Sequence, residues 1–335
     1  MGRITQFHEG FVAVSHRLTE DASGVFIISA TPFTDDGRVD TASLDSLTDY
    51  YLSHGVSGIT ILGVMGEAPK LTADESVAVL SQVLKRVDGR VPVVVGVTNP
   101  GLDNLAKLAH TAMDHGAAGV MVAPSAAQKT ESGVVTYMKT VADRLGDTPL
   151  VFQDFPLTTN MPVSADVFTQ MVQEIPQLVM LKHEDWPGLT KLSAVRSTAA
   201  AAGARRVSIL CGNGGTYLPQ ELARGADGAM TGFAYPEMLV NVVRLFHAGE
   251  TDAAEDLFDA YLPLVRHEQM PGFGLAVRKE ILRRRGAIAS AAVRALGPKL
   301  DATGHEELTR LMTRLERALE RVALPETPPM HALAS

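Results

Sequence analysis

A lysine at the end of an apolar stretch is the first feature of this sequence that could carry out chemistry. In "LVMLKHED" (178–185), four apolar residues lead directly into Lys182. Withdrawing an ammonium group from water is costly, so burial lowers the pKa of a lysine and makes its neutral amine accessible. Such an amine can attack a ketone and form a Schiff base, whose iminium acidifies the adjacent C–H group. The structural alternative is a lysine whose stem lies along apolar surface while its charge stays in water.

Two polar residues could assist that lysine. Glu184 lies two positions after Lys182, so both side chains face the same way if the strand continues, and its carboxylate could transfer a proton. It could instead pair with a neighbouring cation at the rim. Gln153, in "VFQDFP" (151–156), could bind a hydroxyl or carbonyl group of a substrate, or satisfy a buried backbone group. We take Lys182, Glu184 and Gln153 as catalytic candidates, whereas His183 should point to the opposite face and be structural.

A glycine-containing turn could bind an anion. In "GVMGEA" (63–68), two glycines three residues apart allow the backbone to turn tightly and to present N–H groups to a carboxylate. The same pattern also occurs in many ordinary turns, so alone it does not establish a binding site.

Eight short apolar stretches must position these residues. They are rich in Val, Ile and Leu and do not alternate with polar residues, which is typical of parallel strands that are covered on both faces. The stretches are 24–33, 58–63, 91–97, 119–124, 150–155, 178–182, 207–212 and 228–232. Helical patterns lie between them at 41–54, 73–87, 102–115, 132–145, 164–173 and 188–202.

This alternation predicts an α/β fold, a (β/α)₈ TIM barrel with a helical C-terminal extension. Active sites of such barrels lie at the carboxyl ends of the strands, which is where Lys182 falls. Three similar junctions, at 53–61, 114–122 and 223–231, each place a glycine where a helix ends and a strand follows. An open doubly wound sheet is the alternative, but no G-x-G-x-x-G follows the first strand.

Four segments are expected along the chain. Residues 1–22 form an N-terminal extension, and residues 23–235 form the barrel core. Residues 236–323 hold the last barrel helix and the C-terminal helical extension, and the proline-rich tail 324–335 should be flexible.

Composition excludes several classes of protein. The 335 residues are 46% hydrophobic and 20% charged, as in ordinary globular proteins, and a net charge of -8 offers no general attraction for nucleic acid or anionic membranes. The single cysteine, Cys211, fits a reducing compartment, and no apolar stretch reaches the roughly 18 residues of a membrane helix. The ten histidines form neither H-x-H nor H-E-x-x-H, and there is no P-loop. We therefore expect a cytoplasmic protein without a metal or another cofactor.

Five motifs together resemble the dihydrodipicolinate synthase/N-acetylneuraminate lyase family of class I aldolases over about residues 24–300. The motifs are "SATPFTDDGRVD" (29–40), "GVMGEAPKLTADE" (63–75), "VFQDFP" (151–156), "LKHED" (181–185) and "GADGAMTG" (225–232). The resemblance implies a (β/α)₈ barrel with a helical C-terminal extension, usually a tetramer. It also implies that Lys182 is the Schiff-base lysine.

The sequence departs from that family at its hydroxyl-bearing positions. Val64 and Met65 replace a Thr or Ser pair, Gln153 replaces an acid–base tyrosine, and a second tyrosine of the relay would fall near Ala126. The arginine that binds the substrate carboxylate in dihydrodipicolinate synthases would fall at Thr158. Because those synthases need that relay, we do not expect this protein to be one of them.

One branch of the family is more similar. The motif around Gln153, the glutamate two residues after the lysine, "GAMTGFAYPE" (228–237) and "LPLVRHEQMPGF" (262–273) resemble the 2-keto-3-deoxy-L-arabonate dehydratases. The resemblance implies a lyase that dehydrates a 2-keto-3-deoxy sugar acid as a homo-oligomer. The alternatives are a pyruvate-dependent retro-aldol lyase and a non-catalytic barrel that binds a keto acid as a sensor or scaffold. The predicted substrate-binding residues are Gly63, Val64, Met65, Gly66, Glu67, Thr158 and Gly212.

Overall fold

A closed barrel of eight parallel strands forms the centre of the molecule, which confirms the predicted fold. The computed structural model describes residues 17–186 and 188–322. The strands pair in chain order, and β1 closes the barrel against β8. They are β1 (Gly24–Ile28), β2 (Gly58–Ile61), β3 (Val93–Gly96), β4 (Gly119–Val122), β5 (Leu150–Asp154), β6 (Leu178–His183), β7 (Ser208–Cys211) and β8 (Gly228–Ala229).

Helices surround the barrel and continue beyond it. The helices between strands are α1 (Thr41–Ser53), α2 (Ala73–Val87), α3 (Leu102–Asp114), α4 (Glu131–Leu145), α5 (Pro156–Thr159), α6 (Ala165–Glu174), α7 (Gly188–Ala201) and α8 (Leu218–Ala223). After β8 come α9 (Pro236–His247), α10 (Thr251–Glu268), α11 (Gly274–Arg284) and α12 (Ala302–Leu319). Within residues 17–186 and 188–322, no helix combines the length and apolar character that a membrane span requires.

Local sequence signals set the ends of many of these elements. Helix α2 begins with a capping box, in which Thr72 Oγ1 accepts from the Glu75 N–H at 3.1 Å and Glu75 Oε2 accepts from the Thr72 N–H at 2.9 Å. The three helix-to-strand junctions contain Gly55, Gly116 and Gly225 at φ angles of 74°, 92° and 94°. A residue with a Cβ atom is disfavoured at such angles, whereas glycine adopts them without steric strain and can end the helix there.

The structure differs from the sequence predictions mainly in the short elements. Residues 156–159 and 218–223 form α5 and α8, which the sequence patterns did not reveal. Both are shorter than two turns and begin with a proline at the first or second position, so they carry too little periodicity to stand out. Strand β8 is only two residues long, although an apolar stretch over 228–232 was expected to pair.

Apolar side chains fill the barrel interior below the carboxyl ends of the strands. This interior cluster consists of Leu18, Phe26, Ile28, Val94, Ala118, Met121, Val151, Val179, Met180, Leu210 and Met230. Leu18 belongs to the segment before β1, and its backbone N–H donates to the carbonyl oxygen of Ala118 at 2.9 Å. The described part of the N-terminal extension therefore helps to close the amino end of the barrel. A packed interior leaves the loops after the strands as the place for chemistry.

The remainder of the N-terminal extension, residues 1–16, and the predicted flexible tail, 324–335, lie outside the described residues.

Candidate active site

Lys182 occupies the inner face of β6 at its carboxyl end. It lies two residues after Met180, which packs in the barrel interior, so both side chains point inward. Its neighbours across the sheet are Gln153 of β5 and Leu210 of β7. Only 5% of Lys182 is exposed to solvent. The side chain therefore lies among buried groups at the mouth of the barrel, as the sequence pattern predicted from its position.

Glu184 continues the geometry of the strand by one step. Its backbone N–H donates to the carbonyl oxygen of Asp154 at 3.0 Å, so its side chain returns to the face that carries Lys182. Glu184 Oε2 lies 3.1 Å from Lys182 Nζ and accepts a hydrogen bond from Gln153 Nε2 at 2.7 Å. All three side chains are buried. The three catalytic candidates thus form one buried group around a single carboxylate oxygen, which pairs with the Lys182 ammonium and accepts a hydrogen bond from Gln153.

Gly212 provides the space that the Glu184 side chain occupies. The N–H of Gly212 donates to the carbonyl oxygen of His183 at 2.8 Å, which brings the loop after β7 beside the end of β6. A Cβ atom at residue 212 would lie 2.2 Å from Glu184 Cγ, far inside van der Waals contact. Gly212 therefore acts on the site through Glu184.

The predicted anion-binding turn follows β2 as a single 3₁₀ turn over Val64–Gly66. The N–H groups of Gly66 and Glu67 close the turn by donating to the carbonyl oxygens of Gly63 and Val64, at 3.0 Å each. The first N–H groups of such a turn have no partner within it, so those of Val64 and Met65 are the candidates for a ligand carboxylate.

The side chains of this turn go in three directions. Val64 is exposed, Met65 packs partly against the barrel-interior cluster, and Glu67 is buried with its carboxylate against Lys279 and Lys70. The structure thus directs the Glu67 carboxylate towards the C-terminal extension, which leaves the backbone N–H groups of Val64 and Met65 as the candidates for binding an anion.

A cavity of about 730 Å³ lies at the same end of the barrel. Gly63, Val64, Gln153 and Thr158 line it, whereas Lys182 and Glu184 do not. Gln153 joins this cavity to the buried ion pair, because it lines the cavity and its amide donates to Glu184. Such a cavity exceeds what a small keto acid needs, and most of its lining beyond these residues is apolar.

The C-terminal extension also reaches the mouth. Gln269, in the connection between α10 and α11, lies against the backbone of the loop after β7, where a Cβ atom on Gly214 would be 1.8 Å from Gln269 Nε2. The loops after β6 and β7 carry a half-exposed aromatic pair, Trp186 and Tyr217, whose ring centroids are 5.3 Å apart.

A second buried polar group lies behind Lys182 on the outer face of β6. His183 Nε2 is 2.9 Å from the carbonyl oxygen of Gly188, and His183 Nδ1 is 3.9 Å from Asp154 Oδ2. Lys191 Nζ also binds Asp154 Oδ2, at 2.5 Å. His183 therefore supports the strand ends from behind and does not face the substrate side.

Glu221 and Cys211 extend that outer group. Burial raises the pKa of Glu221 to about 7, and burial together with Glu221 raises the pKa of the Cys211 thiol well above its usual value. The sequence patterns did not single out Glu221. Its position between apolar residues in "LPQELA" (218–223) could have indicated a buried carboxylate.

Taken together, the geometry is that of a (β/α)₈ barrel whose sixth strand presents a buried lysine beside a carboxylate. That arrangement suits amine–carbonyl chemistry, because the lysine supplies a nucleophile and the glutamate can accept its proton.

Comparison with known proteins assigns the family. The model of the dihydrodipicolinate synthetase family matches residues 21–315, and this chain belongs to that family. It is 30% identical over 304 residues to an L-2-keto-3-deoxyarabonate dehydratase of Azospirillum brasilense, covering 90% of this chain and 96% of the relative. It is 30% identical over 305 residues to a 4-hydroxy-tetrahydrodipicolinate synthase of Sorangium cellulosum, covering 89% and 97%.

A solved structure agrees in fold. A dihydrodipicolinate synthase from Rhodopseudomonas palustris matches with a TM-score of 0.87 and 47% sequence identity, covering 90% of this chain and 100% of that chain. The predicted family resemblance is confirmed, and the protein is a lyase of this family. The relatives include a dehydratase and synthases, so the comparisons establish the family but do not identify the substrate.

Proposed function

We propose that this protein dehydrates a 2-keto-3-deoxy sugar acid, of the 2-keto-3-deoxy-L-arabonate type, through a Schiff base on Lys182. The observation that carries the proposal is the shared oxygen of Glu184, which lies 3.1 Å from Lys182 Nζ and accepts from Gln153 at 2.7 Å. A general acid or base must lie within hydrogen-bond reach of the proton that it moves, and this carboxylate meets that condition at the lysine.

Schiff-base formation needs a neutral amine and a departing water. Glu184 accepts a proton from the Lys182 ammonium, and the free amine attacks C2 of the keto acid. The same carboxylic acid then returns the proton to the C2 hydroxyl, which leaves as water and gives the iminium. Gln153 holds Glu184 by an amide hydrogen bond but cannot itself exchange protons at neutral pH.

Dehydration follows from the iminium. A base removes the C3 proton, and the electron pair of that C–H bond forms the enamine. The enamine electrons then expel the C4 hydroxyl, which is protonated and leaves as water. Water hydrolyses the resulting conjugated iminium and frees Lys182. We assign both proton transfers to Glu184, since Gln153 stands where the family's tyrosine would act.

The relatives include both a dehydratase and synthases, and it is the missing tyrosines that favour this assignment over synthase activity. The Azospirillum brasilense relative is a dehydratase of this substrate type. The synthases of the family depend on a tyrosine relay that this sequence lacks, at Gln153 and near Ala126. The backbone of residues 63–66 would hold the substrate carboxylate, and Thr158 would line the path to it.

A retro-aldol reaction is the second candidate, because it shares the iminium and differs only in breaking the C3–C4 bond. Product analysis separates the two. Incubation with a 2-keto-3-deoxy pentonate should give one product lighter by a water. Pyruvate together with an aldehyde would instead assign the protein as an aldolase, and turnover of neither kind would leave a keto-acid-binding barrel.

We further propose a homo-oligomer, a dimer or tetramer, as the working form. Light scattering of the purified protein at micromolar concentration tests this, and a monomeric mass at full activity would contradict it.

A further inference from the structure

One ammonium group ties the C-terminal extension to the mouth of the barrel. Lys279 of α11 is fully buried, with 0% of its surface exposed. Its Nζ donates to Glu67 Oε1 at 2.6 Å and to the carbonyl oxygens of Thr31 and Ala292 at 2.8 and 2.9 Å. It also lies 4.4 Å from the ring centroid of Phe33. The three donated bonds fill the capacity of an ammonium group.

The receiving carboxylate belongs to the turn after β2. Glu67 has a left-handed backbone, with φ at 54°, and is 3% exposed. Its second oxygen accepts from Lys70 Nζ at 2.9 Å and from the backbone N–H of Arg294 at 3.1 Å. Non-glycine residues seldom adopt this conformation, so the surrounding contacts must hold it in place.

A further bond links the same network to the turn itself. The Thr31 hydroxyl donates to the carbonyl oxygen of Gly66 at 2.6 Å, while the carbonyl oxygen of Thr31 accepts from Lys279. Lys279 therefore contacts two residues next to the 63–66 turn: Glu67, which follows it in the chain, and Thr31, which is hydrogen-bonded to it. A shift of this ammonium would move the backbone that faces the cavity.

We propose that Lys279 is a positioning residue for substrate binding, which fixes the 63–66 turn through Glu67 so that its amides can hold the keto-acid carboxylate. This inference rests on the proposed function, in which that turn holds the carboxylate. It makes the C-terminal extension a part of the binding site, although α11 contributes no group that touches the substrate.

The test replaces Lys279 by methionine, which keeps most of the stem and removes the charge. The matched control is Arg278→Met on the same helix, because Arg278 forms an equally buried pair with Glu268 at 2.8 Å but does not contact the turn. Both changes remove a buried cation from a buried carboxylate, although Glu67 keeps its bond from Lys70, so both should lower the unfolding temperature.

The two variants should differ in substrate affinity. Lys279→Met should raise KM by about 10- to 100-fold, which corresponds to the loss of one hydrogen bond from a turn amide to the substrate carboxylate. Its kcat should stay within about threefold of the natural protein. Arg278→Met should leave KM unchanged. An unchanged KM in Lys279→Met, or an equal rise in both variants, would overturn the inference and leave Lys279 as a purely structural residue.

Two further measurements keep the outcomes distinct. If Lys279→Met does not fold, Glu67→Gln carries the same test, since it keeps the size and shape of the side chain, removes the ion pair and replaces one accepting oxygen by an NH₂ group that can only donate. An unchanged KM there refutes the inference. Borohydride trapping of the natural protein with pyruvate is run in parallel. Absence of any label in the natural protein would show that the proposed function has failed, whereas labelling with equal KM values would show that only this inference has failed.

Discussion

Alanine at residue 212 should disable proton transfer while leaving the fold intact. Gly212 has a negative φ angle of -100°, so it is not in the left-handed region that only glycine adopts readily. The new Cβ atom would lie 2.2 Å from Glu184 Cγ and 2.6 Å from Glu184 Oε1. Carbon atoms pack at about 3.5 to 4.0 Å, so the glutamate must withdraw by more than about 1 Å.

That withdrawal sets the size of the expected effect. Glu184 Oε2 now lies 3.1 Å from Lys182 Nζ and 2.7 Å from Gln153 Nε2. A further ~1 Å takes the first distance beyond hydrogen-bond reach. Misplacement of a catalytic group by about 1 Å costs on the order of 10²-fold in rate. We therefore expect kcat/KM of Gly212→Ala to fall by about 10²-fold.

The assay is steady-state turnover of a 2-keto-3-deoxy acid, with thermal unfolding recorded on the same sample. Gly101→Ala is the control, since a Cβ atom there meets no atom closer than 3.4 Å and residue 101 does not line the cavity. In the Glu184→Ala background, Gly212→Ala should have almost no further effect, because its target is already absent. A rate within threefold of the natural protein, or an undiminished effect in that background, would refute this account of Gly212.

Three other predictions follow from the same geometry. Glu184→Gln should still form the iminium, trapped by borohydride, although more slowly, and should turn over roughly 10²–10⁴-fold more slowly; normal turnover would remove its acid–base role. Burial raises the pKa of Glu221 from 4.5 to about 7, so the native state keeps a proton that the unfolded chain loses. The contribution of Glu221 to stability should then be greatest below about pH 4.5, decline by roughly 3 kcal/mol as the pH rises to about 7, and stay level above it. Urea unfolding of Glu221→Gln should show a flatter profile between about pH 5 and 7, and an unchanged slope would exclude Glu221 as its source. Trp186 is the only tryptophan and lies two residues after Glu184, so binding of a keto acid at Lys182 should change its emission. A Tyr217→Phe variant is the matched control for the pair, and saturating ligand without any change in emission would place the ligand elsewhere.

The central part of this site could be read from the sequence. An apolar stretch ending in lysine predicts a strand end, and the two-residue period of a strand places Glu184 on the same face as Lys182. Gln153 could be added because the barrel fold makes β5 the neighbour of β6. The positions of these three residues follow from local periodicity and from the chain order of the strands, and both can be read directly from the sequence.

The remaining features depend on partners that are distant in sequence. The Glu67 side chain turns away from the mouth because it meets Lys279, 212 positions later, and no local pattern predicts that pairing. The requirement for glycine at residue 212 arises from the volume of Glu184 on another strand. Likewise, Glu221 belongs to the six-residue helix α8, and its burial depends on the packing of α8 against β8 and α9.

Borohydride trapping tests the central claim most directly. Incubation with a 2-keto-3-deoxy pentonate or pyruvate, followed by reduction and peptide mass analysis, should place one ligand on the peptide that contains Lys182, in the presence of EDTA as well as without it. Lys182→Ala should fold, carry no label and show no turnover, and Lys182→Arg should behave the same way because a guanidinium does not become a nucleophilic amine. Label on surface lysines such as Lys85 or Lys139, or turnover that survives in Lys182→Ala, would contradict the Schiff-base mechanism.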